Sequence, residues 1–338
     1  MVLRRGYENL VYAFFVLFLL LFPLMAVSWQ EFLVLISLTY AIAALGLIPL
    51  SGLGGLVSFG NGAFMALSAY VIGLSIRYLG IDSLAFIFIP AILLPVVTAL
   101  LFSLLALRTR YVFFALITVA FTMLLYTLLL KFYHYTGGTD GLRIPNIALL
   151  KGIIEVKVRE RILGDAYTSY YLTVITFAAA LFATQRLVNS PLALSLVALR
   201  DNERRAKDVG INPYITYSLA FTYSALMAGL SGILYAISVG HIDPGLAYWA
   251  GPSAKIVFIA VLGGFTIPGC IIASLLYIMV ETYALKYLSY YWQFLMGSVL
   301  LLILLTFPRG LPSLFEVTFS QIMRLRFLTR FKKLISTL

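Results

Sequence analysis

The feature that most limits what this chain can fold into is a series of uninterrupted apolar blocks. Val11 to Val27, Phe32 to Leu50, Leu84 to Leu107, Tyr111 to Leu130 and Tyr214 to Val239 are the clearest. About 20 such residues, rising about 1.5 Å each as a helix, cross a hydrocarbon core about 30 Å thick. The runs are continuous rather than alternating, which suits helices and not the strands of a barrel. Composition agrees. Hydrophobic residues make up 62% and charged residues 11%, against about 45–50% and about 25% in soluble domains. The expected fold is therefore all-α, a polytopic transmembrane helical bundle.

About ten crossings are predicted, at 9–27, 30–49, 61–79, 84–107, 111–131, 168–186, 214–239, 252–265, 268–286 and 289–307. Two places are expected to be broken or re-entrant. One lies near 51–62, where Gly52, Gly54, Gly55, Gly60 and Gly62 cluster, and the other near 263–269, where Gly263 and Gly264 precede Pro268 and Gly269. If those segments are half-helices, the count falls to eight or nine. Irregular backbone at membrane depth survives only where protein or a cavity satisfies it. The first block follows Arg4 and Arg5 without a clear small-residue cleavage site, so it reads as a retained helix and not a signal peptide.

Charge orients the bundle. The formal net charge is +11, and the basic residues fall between or beside the apolar blocks, so they describe topology and not a nucleic-acid surface. With the N-terminus in the cytoplasm, cytoplasmic segments hold 15 of the 24 basic residues and 5 of the 13 acidic ones. The remaining segments are nearly neutral, as the positive-inside tendency requires. Both termini are then cytoplasmic. The chain reads as one membrane domain over 1–312, with an external loop at 132–167, a cytoplasmic loop at 187–213 and a basic cytoplasmic tail at 313–338. Neither loop is long enough to bury a core of its own. The single cysteine, Cys270, cannot form an internal disulfide.

The cytoplasmic loop is built as a helix or a pair of helices. Ser190 suits an N-cap, Pro191 the first helical position, and Gly210 the C′ residue. Glu203 and Lys207 stand i, i+4 in the favourable order. Leu192, Leu196 and Leu199 keep one side apolar, while Arg200, Arg204 and Lys207 line a polar side. Ala206 and Gly210 leave a low spot for a partner's backbone. From periodicity alone, this segment either rests on anionic lipid or docks a cytoplasmic protein.

The stretch from Ala198 to Asn212, continuing through Leu219 to Gly232, closely resembles the cytoplasmic loop and following helix of LivM/LivH-type permeases, the membrane subunits of ABC importers for branched-chain amino acids. Further resemblances follow in the same order: Gly52, Gly55, Ser58, Gly60, Ala63 and Phe64 in the Gly-rich segment, then Leu107 to Thr118 in the LivM-side pattern. Thr136 to Leu142, Val261 to Gly264 with Gly269, and Phe307 to Leu311 complete the series, which spans roughly 35–312. Asn61 stands where the family more usually has Gln or His, and 265–268 is a less typical version of its turn.

The resemblance implies a permease domain that translocates leucine, isoleucine or valine delivered by an external solute-binding protein. It implies a homologous second permease subunit, cytoplasmic ATP-binding subunits, and residence in the inner (plasma) membrane of a prokaryote. The family's Glu-x-x-Ala-x-x-x-Gly coupling pattern falls on Glu203, Ala206 and Gly210, with Arg200 and Arg204 beside it. A urea or short-amide importer shares nearly all these motifs. An ion-coupled secondary transporter would need midplane ion ligands, typically within an internal repeat, and no convincing repeat is present.

No Walker sequence occurs, so ATP hydrolysis is expected in a partner and the chain is not expected to be an enzyme. His134 and His241 are isolated, so no metal and no cofactor is expected. Gly52, Gly55, Gly60, Gly229, Gly232, Gly263 and Gly264 are candidates for pathway lining or for close helix packing. Lys255 and Glu281 are ionisable residues within apolar segments. Ionisable residues at such depth either mark a pathway or, placed near the external ends of their spans as these are, serve structure by snorkelling or by pairing with one another, and the structural reading is favoured.

Overall fold

The computed structural model describes residues 2–24, 27–81, 83–109, 112–145, 148–150, 154–157, 161–163, 166–288, 290–306 and 310. The tail expected at 313–338 lies outside the described residues, as does the motif at 307–311 apart from Gly310. The chain is an all-α bundle. In order it runs α1 (Val2–Leu21), α2 (Ser28–Leu47), α3 (Asn61–Leu79), α4 (Leu84–Ala106), α5 (Val112–Lys131), the short α6 (Tyr133–Thr136) and α7 (Thr168–Val188). There follow α8 (Pro191–Asp201), α9 (Glu203–Asp208), α10 (Pro213–Val239), α11 (Ala254–Leu262), α12 (Ile267–Tyr287) and α13 (Trp292–Thr306).

Among the described residues, seven helices are long and apolar enough to cross a membrane: Ser28–Leu53, α3, α4, α5, α7, α10 and α12. The other three expected crossings coincide with shorter apolar stretches, Tyr12–Leu21, Trp249–Leu262 and Trp292–Ile303. Length and composition therefore support seven spans, and the count of ten is not confirmed.

Successive connections gather alternately on two faces. On one, Arg200 bonds the carbonyl of Gly52, the Tyr217 hydroxyl donates to the carbonyl of Gly54, and Gly264 lies against Gly310. On the other, β1 (Leu142–Arg143) pairs antiparallel with β6 (His241–Ile242), and the Tyr78 hydroxyl donates to the carbonyl of His134. The long connection expected as a loop also contains two short antiparallel pairs, β2 (Ala148–Leu150) with β3 (Ile154–Lys157) and β4 (Arg161–Leu163) with β5 (Ala166–Tyr167). Ile154-Glu155-Val156-Lys157 alternates with period two, the signal that a search for apolar blocks passes over.

At the centre, α10 is wedged between α2, α3 and α4. Small side chains permit this. Ala41, Ala43 and Ala44 of α2 and Ala225, Ala228 and Ala236 of α10 are fully buried. A Cβ on Gly232 would stand 2.1 Å from the Met65 carbonyl oxygen of α3, and one on Gly229 would meet Pro95 of α4 and Ser68 of α3 at 2.8 Å. In lipid, where burial of apolar surface gives little drive, close backbone approach of this kind holds helices together. The outer helices show the opposite pattern. Phe86, Leu101 and Leu104 of α4 and Phe113 and Leu116 of α5 are exposed, as suits a wall facing lipid or another subunit.

Both expected breaks occur, the second in altered form. After α2 the chain widens into a π-helical turn, Ile48–Leu53, with Pro49 inside it, and then runs without helix to Gly60. Near 263–269 the chain makes a tight turn and not a re-entrant loop. Gly264 and Phe265 both have positive φ, and the Phe265 amide reaches back to the carbonyl of Ala260. The irregular backbone lies upstream instead, in the 3-10 turn Pro244–Ala247 and the π-helical turn Trp249–Ser253 that precede the nine-residue α11. Pro244 and Pro252 explain the shift, since neither can supply an amide to a continuing helix.

Candidate functional site

The segment 190–213 forms two short helices. Asn202 separates them with extended backbone, and its side-chain oxygen caps α9 by accepting from the Arg205 amide at 3.1 Å. Pro191 opens α8 as expected, but Ser190 does not cap it with its side chain. Its hydroxyl donates to the carbonyl of Leu187 at 2.6 Å, tying the segment back onto the end of α7. The Glu203–Lys207 pair forms at 2.9 Å. The end of α9 is a Schellman turn: the Ile211 amide bonds the carbonyl of Ala206, the Gly210 amide bonds that of Lys207, and Gly210 takes φ +88. Asn212 then caps α10 through the Tyr214 amide. Each capping residue thus serves a helix end, and the loop is held rather than free.

Its two faces differ. Leu196, Leu199 and Ala206 point inward and share an apolar cluster with Leu50, Leu56, Leu107 and Tyr217. Ala206 is 3% exposed, so the low spot expected at 206 faces this chain's own core and not a partner. Leu194 and Val209 are 74% and 77% exposed, and Arg204 and Arg205 are exposed beside them. The outer face therefore combines apolar side chains with cations. Gly210 is part of it, with nothing within 4 Å of a built Cβ.

Arg200 joins this segment to the first break. Its Nη1 donates to the carbonyl of Gly52 at 2.7 Å, and its side-chain methylenes lie against Gly55, which has φ +73. On its other side Gly52 abuts Phe265, in the turn between α11 and α12; a Cβ at 52 would stand 2.7 Å from the Phe265 Cβ. Three segments far apart in sequence meet there. Sequence reasoning singled out Gly52, Gly55 and Arg200 but missed Phe265, whose positive φ no local sequence signal announces.

The break itself is satisfied within the bundle by hydroxyls. Amides of Phe59, Gly60 and Gly62 bond the side-chain oxygens of Thr118, Ser58 and Ser253, at 3.0, 3.1 and 2.9 Å. A Cβ on Gly60 would meet the Ser58 Oγ at 3.3 Å. Gly62–Ser253 joins the N-terminus of α3 to the irregular segment ahead of α11, so the two breaks touch. The remaining candidate glycines all stand in close approach to neighbours: Gly229 and Gly232 as above, Gly263 to the Gly269–Cys270 backbone, and Gly264 to Gly310. Among the described residues no group of His, Cys, Asp and Glu could hold a metal.

Lys255 and Glu281 form an ion pair at 2.5 Å, with side chains 24% and 8% exposed. Because α11 is a half-helix, Lys255 stands only about 10 Å along it from Leu262, at about 1.5 Å per residue. The pair therefore lies inside the bundle, at the level of Tyr40 in the middle of α2. The Lys255 ammonium is also 5.8 Å from the centre of the Tyr40 ring. A cavity of about 480 Å³, lined by Trp29, Phe32, Ile36, Tyr40, Lys255 and Glu281, opens beside it.

The family described as "branched-chain amino acid transport system / permease component" matches residues 30–304, which includes both breaks, the capped segment and the ion pair. The chain belongs to this permease family. It is 28% identical over 318 residues to the high-affinity branched-chain amino acid transport system permease protein LivM of Escherichia coli K12, covering 87% of this chain and 74% of that one. It is 27% identical over 283 residues to LivH of Salmonella typhimurium, covering 81% and 91%, and 24% identical over 291 residues to BraD of Pseudomonas aeruginosa, covering 81% and 91%. LivM is the more similar type by identity and by coverage of this chain, in keeping with the pattern at 107–118. No solved structure matches the chain. For a permease, the geometry places a well-capped segment on one face in direct contact with a break that leads into the bundle.

Proposed function

We propose that this chain is one membrane subunit of an ATP-binding cassette importer for branched-chain amino acids, working with a second permease subunit, cytoplasmic ATPase subunits and an external solute-binding protein. The observation that carries the reading is the link from the capped segment to the interior, Arg200 to Gly52 and Gly52 to Phe265, within a chain of this family. An importer driven by a separate ATPase needs a physical element that nucleotide state can bias and that reaches the transport path. The segment 190–213 supplies such an element. Its outward apolar and basic face, with Leu194, Val209, Arg204 and Arg205, suits a groove on an ATPase subunit.

In this reading the face bearing 190–213 is cytoplasmic and the β1–β6 face receives the binding protein. Glu203 holds α9 through Lys207, Ala206 seats it on this chain, and Gly210 keeps the outer face low. The chain sits in the plasma membrane of a prokaryote with both termini inside, and 1–312 is its permease domain. Uptake by the reconstituted complex is the test. ATP-dependent import of leucine supports the proposal. Import of urea without leucine, or leucine uptake from an ion gradient with no ATPase subunit present, refutes it.

A further inference from the structure

We propose that the Lys255–Glu281 pair is the substrate-recognition site within this subunit, and that it takes a zwitterionic amino acid by exchanging its internal ion pair for two pairs with the ligand. The inference rests on the functional reading above and names the residues that would carry its specificity.

Intramembrane ionisable residues are expensive and mark pathways by default. Here the Glu281 side chain is only 8% exposed, and Lys255 answers its charge as an ion pair. The cavity beside the pair has the volume of a small-molecule site, which typically measures about 300–1,000 Å³. Its wall is apolar apart from a few converging polar groups. Trp29, at the start of α2, and Val239, at the end of α10, place its mouth toward the β1–β6 face. Tyr40, Lys255 and Glu281 lie deeper. Lys255 also lines a second cavity of about 680 Å³ between α11, α12 and α13, so this one residue borders both spaces.

A branched-chain amino acid fits this arrangement in each of its parts. Its carboxylate accepts from the Lys255 ammonium. Its ammonium donates to the Glu281 carboxylate and can face the Tyr40 ring, against which Lys255 already lies. Its aliphatic side chain goes among Phe32, Ile36 and Ile278. Every charge is paired both before and after the exchange, which a site of low dielectric requires. A ligand with one charge leaves either Lys255 or Glu281 uncompensated. An uncharged ligand such as urea gives the pair no reason to open.

The test uses the assembled, reconstituted transporter. The paired neutral replacement Lys255→Met with Glu281→Gln keeps the volume and removes both charges. Leucine uptake is expected to fall roughly 100-fold, the loss that follows from two charge-assisted contacts. In the unsubstituted transporter, leucine should be taken up while 4-methylpentanoate and 3-methylbutylamine, each lacking one charge, should neither enter nor compete. Leucine should also slow maleimide modification of Ile36→Cys, a readout that does not need the paired variant to assemble. Normal leucine uptake by the paired variant overturns the proposal, as does the absence of leucine protection at position 36 in every nucleotide state. If the unsubstituted transporter carries urea and not leucine, the functional reading fails with it, and that result is distinguishable because it appears before any residue is changed.

Discussion

The Arg200 guanidinium donates a 2.7 Å hydrogen bond to the carbonyl of Gly52, across 148 residues of sequence. It is a charge-assisted bond to a main-chain group inside the first break, so movement of α8 must be felt at Gly52. Charged hydrogen bonds of this type contribute about 1.5–3 kcal/mol. Arg200→Ala should leave the assembled ATPase active but lower leucine imported per ATP hydrolysed by about 10-fold or more, in line with that energy. Arg200→Lys should recover part of the loss, since one donor suffices. Unchanged stoichiometry in Arg200→Ala would mean the bond only trims the surface.

Gly52 has a second neighbour that makes a sharper test. A methyl at 52 would lie 2.7 Å from the Phe265 Cβ and 3.3 Å from its Cγ, whereas the Phe265 carbonyl oxygen is at an ordinary 3.6 Å. Gly52→Ala should therefore impair transport, and Phe265→Gly should restore it by removing both atoms. Phe265 also has φ 51, where a bulky L-residue carries strain of about 1–2 kcal/mol. Rescue of uptake is the decisive measurement, and additive damage in the double variant would show that 52 and 265 do not interact.

The bundle, the capped segment and the Gly-rich break were legible because each rests on a local signal: apolar length, cap residues, and glycine clusters. What the sequence could not show is which distant segments meet. Thr118 and Ser253 look like ordinary hydroxyls in apolar runs, yet they satisfy the amides of Phe59 and Gly62. Ala206 reads as part of a low surface from spacing, but the turn after Asn202 rotates it inward. Lys255 reads as a span-end residue until Pro252 and the π-helical turn shorten α11 and leave it inside the bundle, at the level of Tyr40. Helical spacing fixes a face only relative to its own helix, and the partner helices decide which way that face looks.

Close packing at the centre gives a stability prediction free of any transport step. Gly232→Ala would put a methyl 2.1 Å from the Met65 carbonyl oxygen, which is main chain and cannot swing aside. Overpacking of this kind costs about 1–3 kcal/mol. A lower melting temperature and a reduced yield of detergent-stable protein are expected. Gly297→Ala, with nothing within 4 Å of the added carbon, is the matched control and should behave as wild type.

The proposed orientation can be checked by labelling single introduced cysteines. Cys270 is fully buried, so the natural chain should give little background with an impermeant maleimide. Pro145 and Leu194 are both exposed, on the connections that lie at opposite faces. Pro145→Cys should react from outside intact cells, and Leu194→Cys only after the membrane is opened. The reverse pattern would invert the bundle and remove 190–213 as a seat for a cytoplasmic ATPase.

Gly210 separates two explanations for one residue. Its φ of +88 ends α9, and its open surroundings leave room for a partner. A non-glycine residue there meets backbone strain of roughly 1 kcal/mol, least for Asn, which tolerates this conformation best. Gly210→Asn should thus preserve the turn while adding bulk to the outer face, and Gly210→Leu should disturb both. If the face seats an ATPase subunit, both variants should lose co-purification of that subunit, and only Gly210→Leu should also lower the melting temperature of the isolated permease. If Gly210→Asn assembles and transports normally while Gly210→Leu does not, the glycine serves to end the helix and the contact surface lies elsewhere, with Leu194 and Val209 the next positions to change.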